Sequence, residues 1–280
     1  MEIQTNIVYK HLLESDKKII CEQGGTRSGK TYNILLWIIF HYCHYNTEKI
    51  ITICRKTFPS LRATVMRDFL DILQRADLYD EACHNKTNSE YRIDSNIIEF
   101  VSLDQPSKLR GRKRNLLFVN EISEITKEDW NQLIFRTDGR IICDFNPSDS
   151  FSFIYDDIIT RDDCAFFKTT YLDNPFLEKS IRDEIERLRD TDEEYWTIYG
   201  LGERAMAKSI VFRHAEFTQI PIDAQLIGYG MDLGYNDPTC LVSLHQKDFN
   251  LYITELFYQS MMTGSDIDRK LKDLQLQSKP

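Results

Sequence analysis

The chain has 280 residues, of which 42% are hydrophobic, so it is long enough to build one large core and part of a second. Its net charge of −9 argues against nucleic-acid binding by the whole surface, although a local basic patch is compatible with it. The sequence has no run of about twenty uncharged apolar residues and no basic-then-apolar amino terminus. These features predict a protein that neither spans a membrane nor is exported.

The first predicted elements surround a glycine-rich loop. Residues 24–31 read GGTRSGKT and match G-x-x-x-x-G-K-[ST], the pattern of a phosphate-binding loop. A β-branched run at 17–23 predicts the strand that precedes such a loop, and the apolar stretch 31–45 predicts the buried helix that follows it. The unpaired N–H groups at the start of a helix bind phosphate. The sequence therefore predicts a nucleoside triphosphate site.

Roles within this loop follow from the chemistry of its residues. Lys30 is the predicted cation for the β- and γ-phosphates, and the Thr31 hydroxyl is the predicted ligand of the Mg²⁺ that accompanies ATP. Glycine allows the tight turn of the loop. The predicted nucleotide-binding residues are Gly24, Gly25, Thr26, Arg27, Ser28, Gly29, Lys30 and Thr31.

Strands and helices alternate after the loop. The patterns predict a strand at 49–56, an amphipathic helix at 59–76, a hairpin at 90–103 turning at 94–96, a buried strand at 115–121, a capped helix at 126–137 and a buried strand at 139–149. This alternation is typical of an α/β fold with an open, mostly parallel sheet.

Polar side chains follow two of the buried strands, at the end where ligands bind in such sheets. Asn120 and Glu121 end one strand, and Asp144 and Asn146 end the other. Hydrolysis of a nucleoside triphosphate needs a water aimed at the γ-phosphate, and Glu121 is the best-placed carboxylate for this task. Asn146 is predicted to sense the γ-phosphate and to relay its loss.

Basic residues are concentrated in two places. Residues 108–114, KLRGRKR, carry five cations in seven positions, and a second group comprises Arg55, Lys56, Arg62 and Arg67. The first cluster is the predicted DNA-contacting segment, with the cations Lys108, Arg110, Arg112, Lys113 and Arg114. The arginine that stabilises transition-state charge is left open among Arg27, Arg55, Arg62 and Arg110.

The composition changes in the last part of the chain. Residues 224–259 predict three consecutive strands, followed by a helix from about Gly264. Asp232 falls in the middle of the first predicted strand, where an acid is costly unless it serves something such as a cation. Glu255 in the third strand is a candidate neighbour, although its alternation with Ile253 and Phe257 also fits a solvent-facing residue.

Several motifs in one order resemble the large terminase subunit of tailed bacteriophages, a DNA-packaging motor. They are the loop 24–31, LDQPSKLRGRKRNLLFVNE at 103–121, FNPSD at 145–149, TTYLDNPFL at 169–177 and YGLGERA at 199–205. The resemblance implies that Lys30 and Thr31 serve ATP and Mg²⁺, that Glu121 is the catalytic carboxylate, and that Asn146 belongs to the segment that couples hydrolysis to movement. One departure is Asn120, since many P-loop ATPases have an aspartate before the catalytic Glu.

The same resemblance implies two domains. A P-loop ATPase domain is expected at 1–205, a linker at 206–222, and the first part of an RNase H-like nuclease domain at 223–280. Such nucleases hold two Mg²⁺ or Mn²⁺ ions through several carboxylates. Asp232 is expected to be a catalytic metal ligand and Glu255 a second one. In the family the next metal-binding aspartate follows the helix, so we expect this nuclease domain to be incomplete and inactive.

The resemblance also implies what the protein does and where. ATP hydrolysis is expected to drive double-stranded DNA into the procapsid, and an endonuclease to cut concatemeric DNA. Expected partners are double-stranded DNA, the portal protein of the procapsid, the small terminase subunit and further copies of the chain in a motor ring. The expected location is the cytoplasm of the infected bacterium, not the mature virion. Seven scattered cysteines without a C-x-x-C pair also predict a reducing cytoplasm and no zinc site.

Two other classes of function remain open from the residues. One is a P-loop phosphotransferase, in which KLRGRKR closes over a phosphate acceptor. The other is a DNA translocase or helicase without a nuclease, or a non-catalytic interaction protein that retains the fold. Intact Lys30, Thr31 and Glu121 count against a non-catalytic protein.

Overall fold

The computed structural model describes residues 3–104, 113–147, 153–204, 219–248, 250–274 and 276. The chain divides into two compact units, Met1–Ile210 and Val211–Pro280. Each unit has a sheet of its own.

The first unit is built on an eight-stranded sheet. Its strands are β1 (Ile19–Gly24), β2 (Ile50–Arg55), β3 (His84–Asn85), β4 (Glu90–Ile93), β5 (Asn96–Ser102), β6 (Arg114–Val119), β7 (Thr137–Phe145) and β8 (Cys164–Thr169). Their order across the sheet is β3-β4-β5-β2-β6-β7-β1-β8. All neighbours from β5 to β8 are parallel, whereas β3 and β4 are antiparallel additions at one edge. The predicted α/β fold with a mostly parallel sheet is confirmed.

Helices connect these strands. The main ones are α1 (Ile7–Glu14), α2 (Lys30–Trp37, continued by the π-helical turn Ile38–Tyr42 and by Cys43–Tyr45), α3 (Phe58–Leu61, Arg62–Met66 and Arg67–Arg75), α4 (Lys127–Ile134) and α5 (Lys179–Thr191). Shorter helical segments are Ile154–Ile158, Glu193–Tyr195 and Trp196–Gly200. Within the described ranges, no helix combines the length and the apolar run needed to cross a bilayer.

Two apolar layers bury both faces of the sheet. Successive strand residues point to opposite faces, so Ile20 and Ile142 pack with α1, α2 and α3. Their neighbours Ile19 and Ile141 pack with α4 and with the segment Ile154–Ile158. Burial on both sides explains why these strands read as continuous apolar runs.

Most predicted elements of this unit are present, with shifted ends. The predicted strand 115–121 ends at Val119 and the predicted strand 139–149 ends at Phe145, because the polar residues beyond them leave the sheet. The hairpin and the helices at 31–45, 59–76 and 126–137 are confirmed. Helix α1 and strand β8 were not predicted, since one is short and the other is an edge strand with half-exposed residues.

The second unit contains a three-stranded antiparallel sheet and one helix. It comprises β9 (Gln225–Asp232), β10 (Thr239–Lys247), β11 (Asn250–Gln259) and the helix α6 (Gly264–Asp273), with β10 as the central strand. Leu241, Phe257 and Met262 form its small core, against which Ile267 of α6 packs. The predicted three strands and helix are confirmed.

Candidate active site

The phosphate loop connects β1 to α2, as the sequence predicts. Gly29 caps the helix with a φ of 82°, a left-handed conformation that favours glycine. A Cβ at Gly25 would lie 2.4 Å from the carbonyl oxygen of Tyr199. The same oxygen accepts a 2.7 Å hydrogen bond from the N–H of Thr26. The segment around Tyr199 therefore lies against the loop and holds its backbone.

The other loop residues differ in their exposure. Gly24 and Ser28 are buried, and the Ser28 hydroxyl donates a 3.0 Å hydrogen bond to the carbonyl of Gly25. Arg27 is exposed and has a φ of 60°. Asn6, the residue before α1, contacts the loop through a 2.8 Å hydrogen bond from its Nδ2 to the Ser28 carbonyl.

The ammonium group of Lys30 lies inside the loop. Its Nζ donates to the carbonyl oxygens of Gly24 at 2.9 Å and Gly25 at 3.0 Å, and to Asn146 Oδ1 at 3.1 Å. Burial lowers the pKa of Lys30, an effect that the nearby Asp144 and Glu121 carboxylates oppose. The structure thus brings together Lys30 and Asn146, which are 116 positions apart in sequence.

Glu121 lies directly beyond β6, close enough to Lys30 of the loop for each group to affect the pKa of the other. Its backbone is left-handed, with a φ of 54° and a ψ of 61°. Burial and the nearby Asp144 raise the pKa of Glu121 to about 7, while Lys30 and Arg55 oppose the shift. A carboxyl group with a pKa near neutrality is suited to accept a proton from water.

Asp144, at the end of β7, is the residue of this site that sequence reasoning did not select. It is 1% exposed, and it accepts hydrogen bonds from the Thr31 hydroxyl at 2.5 Å, from Asn120 Nδ2 at 3.0 Å and from the Glu121 N–H at 2.9 Å. Burial raises its pKa. In the sequence, only its position after a predicted buried strand pointed to Asp144. Its contacts with Thr31, Asn120 and Glu121 arise because β7 lies between β6 and β1 in the sheet.

The oxygen atoms at this point fit a magnesium ion. The Thr31 hydroxyl, the Asp144 carboxylate and Asn120 are side chains of the hard-donor kind that Mg²⁺ takes directly or through water. Asn120 Oδ1 is buried and has no hydrogen-bond partner within the described part of the chain. An acceptor in that position is suited to a water bound to the ion.

The candidate transition-state arginines lie in different surroundings. Arg55 ends β2, donates from Nη2 to Glu124 Oε1 at 2.6 Å, and is close enough to Glu121 to affect its pKa. Arg27 and Arg62 are exposed. Arg110 lies outside the described residues, so the four alternatives stay open.

The predicted DNA-contacting cluster is described only in part. Lys108, Arg110 and Arg112 lie outside the described residues, and Lys113 is exposed. Arg114 is 2% exposed as the first residue of β6. Its side chain is therefore buried and not at the surface, where a DNA contact was predicted.

In the second unit, Asp232 is the last residue of β9 and not in mid-strand as predicted. It is exposed, so the expected burial cost does not arise. Glu255 is also exposed, on β11. The register pairs Asp232 with Cys240 and Glu255 with Val242 on β10, with an irregularity between Leu241 and Val242. Among the described residues, no group of three or more His, Cys, Asp or Glu side chains could hold a metal ion.

Comparisons with known proteins bear on both units. The family model described as the phage terminase large subunit matches residues 16–203. No curated protein matches the sequence.

Solved structures share the fold. The large terminase of a thermophilic bacteriophage has a TM-score of 0.63 at 18% identity, covering 97% of this chain and 74% of that one. The large terminase of bacteriophage HK97 has a TM-score of 0.57 at 13% identity, covering 98% and 67%. The large terminase ATPase domain of Thermus phage P74-26 has a TM-score of 0.55 at 15% identity, covering 71% and 93%. The first of these three proteins has also been solved in complex with ADP and with ATP-γ-S.

Proposed function

Because this chain belongs to the phage terminase large subunit family, we propose that it hydrolyses ATP to drive double-stranded DNA into a procapsid. One observation carries the proposal: the side chains of Lys30, Thr31, Asp144 and Glu121 converge at the carboxyl ends of β1, β7 and β6. This is the edge where parallel sheets bind ligands. The nucleotide complexes of the large terminase from the thermophilic bacteriophage support ATP as the ligand.

The proposed chemistry assigns one task to each side chain. Phosphate oxygens replace the carbonyl groups of Gly24 and Gly25 as partners of the Lys30 ammonium. Thr31, whose hydroxyl donates to Asp144, would hold a Mg²⁺ ion, which would neutralise charge on the phosphates. Glu121 takes a proton from the attacking water.

Asn146 is proposed to couple hydrolysis to movement. It accepts a hydrogen bond from Lys30 Nζ at 3.1 Å and lies two residues beyond Asp144. A γ-phosphate competes with Asn146 for the same ammonium group. When the phosphate binds, Asn146 loses its hydrogen bond from Lys30, and when the phosphate leaves, Asn146 regains it. Asn146 follows the end of β7, which also carries Asp144.

The remaining assignments are proposals that rest on the family. Residues 1–205 form the packaging motor domain, 206–222 a linker and 223–280 the first part of an RNase H-like nuclease domain. The partners are DNA, the portal protein, the small terminase subunit and further copies of the chain in a ring. The protein acts in the cytoplasm of the infected bacterium.

Steady-state ATP hydrolysis with and without duplex DNA tests the proposed function. We expect a slow basal rate that rises several-fold with DNA. Release of inorganic phosphate distinguishes this activity from a phosphotransferase, which would transfer the phosphoryl group to an acceptor. No hydrolysis under either condition would contradict the proposal.

The DNA contact of the 108–114 cluster has its own test. We expect the double variant Lys108→Ala/Arg112→Ala to lower the slope of log K against log salt by about 1.8, since each lost phosphate contact removes about 0.9. The measurement is fluorescence anisotropy with labelled duplex DNA over a salt series. Lys10→Ala/Arg187→Ala, at two exposed cations elsewhere, is the matched control. An unchanged slope in the cluster variant would assign the cluster to another role.

For the nuclease, we expect no cleavage of plasmid DNA by this 280-residue chain in Mg²⁺ or Mn²⁺. Two ions about 4 Å apart need several shared carboxylates, whereas Asp232 and Glu255 have no third acidic ligand among the described residues. The assay is plasmid digestion at high protein concentration beside Asp232→Ala. Cleavage that disappears in that variant would contradict the prediction and identify a complete nuclease centre.

A further inference from the structure

The residue before Glu121 lacks the negative charge that P-loop sites normally have at this position. In P-loop NTPases an aspartate at the end of a strand helps to hold Mg²⁺. Here Asn120 stands immediately before Glu121. An amide oxygen can accept a hydrogen bond from a metal-bound water, but it contributes no negative charge to the binding of a cation.

A carboxylate is present on the adjacent strand. Strand β7 lies between β6, which leads to Asn120, and β1, which leads to the phosphate loop. The carboxyl end of β7 therefore lies next to both. Asp144 occupies that end, within 3.0 Å of Asn120 Nδ2 and 2.5 Å of the Thr31 hydroxyl.

The direction of the hydrogen bonds shows how Asp144 acts on Thr31. The Thr31 hydroxyl donates its one proton to Asp144 Oδ2, which leaves its oxygen lone pairs available to a metal ion. An outer carboxylate that orients a ligand in this way raises the affinity of the ligand for its metal. Asn120 Nδ2 and the Glu121 N–H also donate hydrogen bonds to Asp144, so its carboxyl oxygens accept from three neighbouring residues.

Asp144 also holds the backbone of Glu121. The N–H of Glu121 donates to Asp144 Oδ1 at 2.9 Å, and Glu121 itself has a left-handed φ of 54°. Such a backbone costs about 1 kcal/mol or more for a residue other than glycine, so it needs a specific contact to maintain it. The Asp144 carboxylate thus contacts the predicted metal ligand Thr31, the side-chain amide of Asn120 and the backbone of Glu121, the proposed general base.

We propose that Asp144 is a positioning residue for the Mg²⁺–ATP complex and supplies, from the next strand, the negative charge that Asn120 lacks. It orients the Thr31 hydroxyl toward the ion and keeps Glu121 in place beside it. The inference rests on the proposed ATPase function, and it concerns the metal rather than the nucleotide. A brace that only joins β6, β7 and the loop would affect stability without affecting the metal dependence of binding.

The first experiment measures the affinity for ATP-γ-S in saturating Mg²⁺ and in EDTA, for the wild-type chain and for Asp144→Asn. The ratio of the two affinities isolates the contribution of the metal. We expect this ratio to fall about 10- to 100-fold in the variant, with the affinity in EDTA changing less than about threefold. A folded variant with the wild-type ratio would overturn the inference.

Two further variants keep the test decisive if Asp144→Asn does not fold. Asn120→Asp adds an acid at the usual position, and because Asp144 already supplies the charge we expect a change in the ratio of less than about threefold. An increase of about tenfold or more would overturn the inference, because it would mean that the wild-type site lacks an effective acid. The double variant Asn120→Asp/Asp144→Asn, which moves the acid to the usual position, should regain the ratio to within about fivefold.

The outcomes separate this inference from the proposed function. A wild-type chain that binds no ATP-γ-S with or without Mg²⁺ would contradict the ATPase proposal itself. A wild-type chain with strong Mg²⁺ dependence that survives in Asp144→Asn would contradict only the role of Asp144.

Discussion

The Lys30→Ala variant is expected to lose ATP hydrolysis by a factor of about 10²–10³ or more, since it removes the cation that stabilises charge on the phosphates. Nucleotide binding should weaken by about 1.5–3 kcal/mol, the range for a hydrogen bond to a charged group. The hydrolysis rate and the Kd of a fluorescent ATP analogue are the two measurements.

The fold should survive this change. Lys30 is 7% exposed and its desolvation opposes its charged state, so the lost hydrogen bonds to Gly24 and Gly25 are partly offset by removal of a buried cation. Thermal melting checks this point. Lys10→Ala, at an exposed lysine of α1, is the control and should keep full activity. A turnover rate of Lys30→Ala equal to that of the wild-type chain would end the ATPase interpretation.

The Glu121→Gln variant should bind ATP normally and hydrolyse it about 10²–10⁴-fold more slowly, the range for a lost general base. Glutamine keeps the size of the side chain and its hydrogen-bonding oxygen but cannot take a proton from water. Single-turnover hydrolysis and nucleotide affinity, measured separately, distinguish this effect from lost binding. Glu128→Gln, at an exposed acid of α4, is the matched control.

The pH dependence gives a second readout for Glu121. Burial and Asp144 raise the pKa of Glu121 to about 7, and a general base works in its ionised form. Lowering the pH through about 7 protonates it, so kcat/KM of the wild-type chain should fall about tenfold per pH unit below that value and level off above it. The residual activity of Glu121→Gln should lack this step. The same step in both proteins would assign the titration to another group.

The features of this protein that are encoded by consecutive residues were predictable from the sequence. The loop 24–31 is a contiguous pattern, and its glycines, Lys30 and Thr31 have their roles by virtue of their spacing. Continuous apolar runs predicted the positions of β1, β2, β6 and β7 to within a few residues. A strand that is buried on both faces of a sheet requires such a run. The three strands and helix of the second unit follow from similar local patterns.

The buried state of single polar residues was not predictable in this way. Arg114 stands in a run of cations and so was predicted at the surface, but it is the first residue of β6 and is buried there. Asp232 was predicted in mid-strand, but β9 ends at this residue and leaves it exposed. Both errors arise because the ends of a strand depend on its partners, which lie elsewhere in the chain.

By itself, the sequence determined the phosphate loop, the alternation of strands and helices, and the position of Glu121 at the end of a strand. Each of these features is encoded by consecutive residues. Only the tertiary structure decided that Asp144 joins Thr31, Asn120 and Glu121. Those contacts require β7 to lie between β6 and β1, although β1 comes first in the chain. The order of parallel strands is set by the packing of crossover connections against the whole sheet, a non-local property that no short stretch of sequence encodes.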